Sequence, residues 1–186
     1  MPGTIEREIK LQFDTPDEAR ASILAAGGTP LRARRLQCDA LLDTEQGGLR
    51  NERLALRVRV EDDRSWLTFK GAPQPSSMKV REEIETSVGD AALALRVFER
   101  LGFRVWFRYE KYREEYTLGL ATIAVDETPV GTFVEIEGSA DSIHAAAAAL
   151  GRTPAHYVTA SYRSLYVAHC TRRGMTVSDM TFEADR

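Results

Sequence analysis

The sequence predicts an α+β domain built on about eight antiparallel strands, with helices packed against one face of the sheet. Two observations predict it. The order strand, helix, three strands occurs twice, first between residues 4 and 71 and again between 79 and 137. In strand after strand, apolar residues also alternate with charged ones, which gives each strand one apolar and one charged face. A third observation bears on how the sheet is arranged. The acids of the charged face come as Glu-x-Glu pairs: Glu6/Glu8, Glu83/Glu85 and Glu135/Glu137.

Residues 4–13 read as the first strand, with Glu6, Glu8 and Lys10 on one face and Ile5, Ile9, Leu11 and Phe13 on the other. Thr15-Pro16-Asp17-Glu18 opens a helix: Thr15 caps, Pro16 suits the first helical position, and Glu18 completes a capping box. Gly27-Gly28 stops that helix after Ala26. An extended segment over 30–43 and a loop at Gly47-Gly48 follow. Leu54–Glu61 alternates strictly, Asp62-Asp63 turns, and Trp66–Gly71 is the next strand before a Pro/Ser loop over Ala72–Ser77.

The second half starts with Lys79–Ser87, whose Lys79, Arg81, Glu83 and Glu85 share a face. Asp90 caps a helix with Ala94, Val97, Phe98 and Leu101 on one side, and Gly102 ends it. Phe103–Tyr116, Ala121–Asp126 and Thr132–Glu137 are three more strands. Helices are expected over Ser139–Leu150 and Ser161–His169. The expected organisation is one domain over 1–172 and a polar, loose tail over 173–186.

Composition narrows the function. At 186 residues, 43% hydrophobic and 28% charged, the chain is an ordinary globular protein with room for a core. Its net charge of −3 carries no basic footprint for nucleic acid or an acidic membrane. No apolar run is long enough to span a bilayer, and residues 1–6 lack the pattern of a signal peptide, so the expected location is cytoplasmic. Cys38 and Cys170 read as reduced structural thiols, and His144, His156 and His169 lack zinc spacing. Neither Gly27-Gly28 nor Gly47-Gly48 belongs to a phosphate loop.

The charged faces carry Glu6, Glu8, Glu83, Glu85, Asp126, Glu135 and Glu137 together with Lys10, Arg57, Arg59, Lys70, Lys79, Arg81, Lys111 and Arg113. The helices need an apolar face to pack on, so these charges point away from them. Periodicity alone leaves two geometries: an open sheet with a solvated face, or a closed barrel lining a hydrated tunnel. Two features weigh towards closure. Arg and Glu dominate the face where Thr, Ser and Gln would serve solvation, and paired carboxylates repel unless a cation lies between them. A dry interior is excluded, because so many charges cannot be desolvated together. Carboxylates take hard divalent cations, and guanidinium and ammonium groups take phosphate oxygens. Both together suit a metal–polyphosphate complex. Trp66, Tyr109 and Tyr116 could stack on a base, though ordinary packing is the plainer reading for each.

Beyond this reading, the Glu6-x-Glu8-x-Lys10 strand resembles the signature of the CYTH superfamily, the triphosphate tunnel metalloenzymes. Further stretches are similar in the same order: Leu56–Arg59, Leu67–Gly71, Arg81–Glu85, Glu110–Arg113, Val125–Glu127, Gly131–Gly138 and Ser161–Leu165. The resemblance implies a closed eight-stranded antiparallel β-barrel with helices outside. It implies Mg²⁺- or Mn²⁺-dependent chemistry on a triphosphate: hydrolysis of inorganic, nucleoside or thiamine triphosphate, or alternatively cyclisation of ATP as in class IV adenylyl cyclases. A non-catalytic polyphosphate-binding module is the remaining alternative. By this resemblance Lys10, Arg57, Arg59, Lys70, Arg81, Lys111 and Arg113 hold phosphate, and Glu6, Glu8, Asp126, Glu135 and Glu137 hold metal. Lys10, Arg59, Glu83 and Glu85 form the catalytic set. The implied partner is a small triphosphate, with no nucleic acid and no membrane, and the bacterial cyclase-like subgroup is compatible with a homodimer. One departure stands out: several triphosphatases carry a Lys just before the Ser-Tyr pair, where this chain has Thr159-Ala160. That departure counts against transfer of the efficient thiamine triphosphatase activity.

Overall fold

A computed structural model describes residues 3–182; residues 1–2 and 183–186, the ends of the expected domain and tail, lie outside the described residues. The strands are β1 (Thr4–Phe13), β2 (Thr29–Thr44), β3 (Ala55–Glu61), β4 (Arg64–Lys70), β5 (Lys79–Val88), β6 (Phe103–Leu118), β7 (Ala121–Thr128) and β8 (Gly131–Glu137). The helices are α1 (Pro16–Ala25), α2 (Gly48–Asn51), α3 (Ala91–Arg100), α4 (Ala140–Ala149) and α5 (Tyr162–Arg173). The strands close into one antiparallel barrel in the order β1-β5-β4-β3-β2-β6-β7-β8. The two halves expected from sequence are two meanders, β2-β3-β4 and β6-β7-β8. They are joined by β2 against β6 on one side and by β5 and β1 on the other.

Local chemistry explains the helix starts. Thr15, Asp90, Ser139 and Ser161 each accept a hydrogen bond from the backbone N–H three residues on. Glu18 reaches back as a capping box requires, but to the Asp14 amide. At the β3–β4 turn Asp62 adopts a left-handed conformation (φ 53°), which a short polar side chain tolerates.

The main core lies outside the barrel wall. Ile9, Leu11, Ile123, Val125, Val134 and Ile136 pack against Ala19 and Ile23 of α1 and Ile143, Ala146 and Ala147 of α4. Elsewhere on the wall the outer face is covered less than the alternation suggests. Ile5 and Ile84 are each 47% exposed, and α3 buries no residue: its apolar stripe forms, yet Val97 and Leu101 remain exposed.

A second cluster forms where β6 outruns β7. Arg108 and Glu110 lie before the stretch of β6 that pairs with β7. Their backbone groups bond instead to Met180, whose N–H donates to Arg108 O and whose carbonyl accepts from Glu110 N. Met180 is buried with Phe107, Tyr109, Phe133, Tyr162, Tyr166 and Cys170. The stretch expected to be a loose tail is thus docked at residues 179–182, because the unpaired edge of β6 needs hydrogen-bond partners. Among the described residues no helix is long and apolar enough to cross a membrane.

Ile123 is fully buried beneath α1 and α4. Ile123→Ala should lower the unfolding free energy by about 2–5 kcal/mol, measured by denaturant titration.

Candidate functional site: a charged bore

Barrel closure turns the charged faces inward and into register. β1 aims Glu6, Glu8 and Lys10 into the bore. Lys10 pairs in register with Glu135 of β8, and its Nζ lies 3.1 Å from Glu135 and 3.2 Å from Glu8. Glu8 also takes Lys79 at 2.6 Å. Glu6 takes Lys70 at 2.7 Å and Arg81 at 3.1 Å, and Lys70 pairs with Glu83 as well. On the opposite wall Arg59 donates to both oxygens of Asp39, at 2.8 and 3.0 Å. Arg57 lies 3.4 Å from the same carboxylate, and donates to Thr68 at 3.0 Å and to Glu85 at 3.4 Å. A third cluster centres on Asp126, which accepts from Lys111, from Arg113 and from the Tyr162 hydroxyl; Arg113 also reaches Glu135.

One cavity of about 870 Å³ is lined by all the site residues expected from sequence except Asp126. Asp126 is fully buried in the wall, its oxygens occupied by Lys111, Arg113 and Tyr162. Trp66 and Tyr109 line the cavity, whereas Tyr116 belongs to the outer core and donates its hydroxyl to Glu114. Asp39 is the residue that sequence reasoning missed. The alternation Arg35, Gln37, Asp39 in β2 continues the charged face and is the signal that points to it.

The electrostatics follow from this packing. Burial disfavours the ammonium of Lys10, but Glu8 and Glu135 outweigh it and raise its pKa. Burial likewise opposes ionisation of Glu8, Glu135 and Asp39. The nearby cations (Lys10 for Glu8, Lys111 for Glu135, Arg59 for Asp39) still hold all three below the usual carboxylate range. Lys79 and Lys111 are pushed down to about 8, chiefly by burial. Glu137 is pushed up to about 7, by burial first and then by Glu6, Glu8, Glu83 and Glu135. It has acids for neighbours and no ion-pair partner among the described residues. The cations Lys10, Arg57, Arg59, Lys70, Lys79, Arg81, Lys111 and Arg113 are matched in number by Glu6, Glu8, Asp39, Glu83, Glu85, Asp126, Glu135 and Glu137.

Among the described residues no three His, Cys, Asp or Glu side chains converge as a ready metal cluster. The acids are instead held apart on lysine and arginine. The donors that could hold a metal are carboxylates, a hard oxygen set suited to Mg²⁺ or Mn²⁺. Glu137, surrounded by acids, is the carboxylate of the bore without a cation partner among the described residues.

The CYTH domain matches residues 4–157, and the chain belongs to this family of triphosphate tunnel proteins. A candidate adenylate cyclase of Methanocaldococcus jannaschii, MJ0240, is 29% identical over 141 residues, which cover 75% of this chain and 80% of that protein. The structure of PH1819 from Pyrococcus horikoshii superposes with a TM-score of 0.74 at 25% identity, over 88% of this chain and 99% of that one. HpAC1 from Hippeastrum, a candidate adenylyl cyclase, superposes with a TM-score of 0.66 at 21% identity, over 92% and 97% of the respective chains.

Asp39 should carry much of the stability of its wall. Asp39→Asn leaves Arg57 and Arg59 without their shared counter-ion, and is expected to cost about 3–5 kcal/mol at pH 7. Because its pKa is depressed in the fold, the Asp39 contribution is present above the ordinary value of 3.8 and is lost as pH falls through the folded value. The stability gap between wild type and variant, read by denaturant titration, should therefore narrow below about pH 4.

Proposed function

We propose that this protein is a divalent-metal-dependent triphosphatase whose substrate is a linear triphosphate held inside the barrel. One observation carries the reading: one bore and its wall bring cations and carboxylates together in equal number, with Glu6, Glu8, Lys10, Asp39, Arg57, Arg59, Lys70, Lys111 and Asp126 buried. A site meant only to stabilise the fold would gain as much from apolar side chains. A site for a metal–polyphosphate complex needs both charges together.

Lys10, Arg57, Arg59, Lys70, Arg81, Lys111 and Arg113 would bind and orient the phosphates, the arginines by two-pronged contacts. Glu6, Glu8, Glu135 and Glu137 would hold the metal, with Asp126 as a further acid that keeps Lys111 and Arg113 in place. A bound divalent ion would supply Lewis-acid neutralisation of the phosphate oxygens. Glu83 and Glu85 complete the acidic wall beside Lys70 and Arg57 and join Lys10 and Arg59 as the catalytic set. The reaction is attack of water on the terminal phosphorus: a P–O bond to water forms, the bridging P–O bond breaks, and diphosphate leaves. Positioning and charge neutralisation account for most of the rate.

Hydrolysis is favoured over ATP cyclisation because cyclisation also needs a nucleoside slot. The Trp106 ring on the cavity wall is already covered by Arg50 at 4.4 Å and Arg163 at 4.6 Å. Tyr109 packs against Phe107 and Tyr162. HpAC1 is described as having a dominant triphosphatase activity despite its cyclase name, which agrees with this choice.

With Mg²⁺ or Mn²⁺, tripolyphosphate should yield orthophosphate and ATP should yield no cyclic AMP; cyclic AMP as the main product would replace this reading with the cyclase one. Lys10→Ala and Arg59→Ala should each lower kcat/KM by about 10- to 150-fold, the loss of a charge-assisted contact worth about 1.5–3 kcal/mol. Glu135→Gln should raise the metal concentration needed for half-maximal rate, seen in a Mg²⁺ titration of initial velocity.

A further inference from the structure

We propose that one rim of the cavity, made by Arg50, Arg53, Arg163 and the first turn of α5, is an anion subsite for a phosphate beyond the three held in the bore. The preferred substrate is then a linear polyphosphate of four or more phosphates. The proposal rests on the triphosphate reading of the bore and extends it.

Charge balance distinguishes this rim from the rest of the cavity. In the bore and its wall, with Asp39 and Asp126 counted, cations and carboxylates are equal in number. Another cluster on the cavity wall is also compensated: Arg32 and Arg35 pair with Glu61 and Glu115. At the Arg50 rim only Asp43 answers the arginines, through Arg50 at 2.8 Å. Arg53 and Arg163 take part in no ion pair among the described residues. Both line the cavity.

The geometry of Arg163 points the same way. Its guanidinium lies over the Trp106 ring at 4.6 Å, and the same ring carries Arg50 at 4.4 Å. Two like charges are thus held on one indole. The Nε of Arg163 is buried without a hydrogen-bond partner, a donor left unsatisfied. Burial and the neighbouring Arg50 both disfavour the charge on Arg163. A phosphate oxygen on the cavity side of the guanidinium would offset the crowding of like charges and favour the charged form of Arg163.

The backbone adds to the same site. Arg163 belongs to the first turn of α5, whose Ser161, Tyr162 and Ser164 also line the cavity. Ser161 Oγ already caps the Ser164 N–H, so the N–H groups of Tyr162 and Arg163 are the free donors of that turn. On the facing segment, Arg53 follows α2 in a left-handed conformation (φ 61°), fixed by its N–H donating to Arg50 O. Size permits the longer ligand as well. A cavity of about 870 Å³ lies in the upper part of the roughly 300–1,000 Å³ range that accommodates drug-sized molecules, which exceed a tripolyphosphate in bulk.

The test is isothermal titration of the full chain with tripolyphosphate and with tetrapolyphosphate, in EDTA and again with Mg²⁺. The reading is the ratio of the two affinities. Wild type should favour tetrapolyphosphate by about tenfold or more, the effect of one added charge-assisted contact. In Arg53→Gln/Arg163→Met, where Met keeps an apolar stem on Trp106, the ratio should fall to near one. Arg53→Gln alone, at an exposed position, should lower it part of the way. Arg172→Gln, an exposed arginine outside the cavity, should leave it at the wild-type value. Equal affinities in wild type, or a ratio unchanged in the double variant, would overturn the subsite while leaving the triphosphate reading intact. Failure of both ligands to bind in both conditions would overturn that reading and the subsite with it.

Discussion

Closure of the barrel forces ionised side chains from different strands to face one another, and everything else in the molecule is arranged around that encounter. On an open sheet Glu6, Arg57 and Lys111 would each be solvated separately. Inside the bore the Glu-x-Glu pairs cannot stand next to each other without cations, and the register supplies them: Lys10 opposite Glu135, Lys70 opposite Glu83, Arg81 opposite Glu6. The cost of partly desolvating these groups is offset because nearly every one has a partner of opposite sign at close range; Glu137, with acids for neighbours, is the exception.

This placement of charge explains where the apolar core had to go. With the interior hydrated, Ile9, Ile123, Val134 and Ile136 can be buried only against helices outside the wall, and α1 and α4 provide that cover. The core is therefore lopsided. The strands facing α3 keep exposed apolar residues, while the β1-β8-β7 side is sealed. The early part of β6, which has no β7 partner, is sealed by α5 and Met180, and the same α5 carries Tyr162 to Asp126 in the wall. Structural closure and site construction thus share one element.

The balance of the bore also defines what kind of ligand it suits. A neutral set of fixed charges gains little from a bare anion and little from a bare cation, because each would break existing ion pairs. A complex that brings both, metal with phosphate, can replace Lys–Glu contacts with Lys–phosphate and Glu–metal contacts without leaving a charge uncompensated. The arginine surplus at Arg50, Arg53 and Arg163 lies beyond this balance and makes that part of the cavity wall positive.

Much of this was legible in the chain before its folding. Period-two alternation marked the strands and sorted the residues of each into two faces, because that geometry is local. The caps at Thr15 and Asp90 were legible for the same reason, as were the helices starting near Ser139 and Ser161 and the repeated strand–helix–three-strand order. Asp39 was not, although its alternation with Arg35 and Gln37 continues the charged face, because its role comes from Arg57 and Arg59 on a neighbouring strand. The docking of Met180 was equally hidden, since it answers a mismatch in length between β6 and β7. What the sequence by itself determined is which side chains share a face and how the elements start and stop. Only the tertiary structure decided that the charged face is enclosed, which charges meet, and that an unbalanced group of arginines borders the bore, because pairing across strands depends on register and closure and not on any local run of residues.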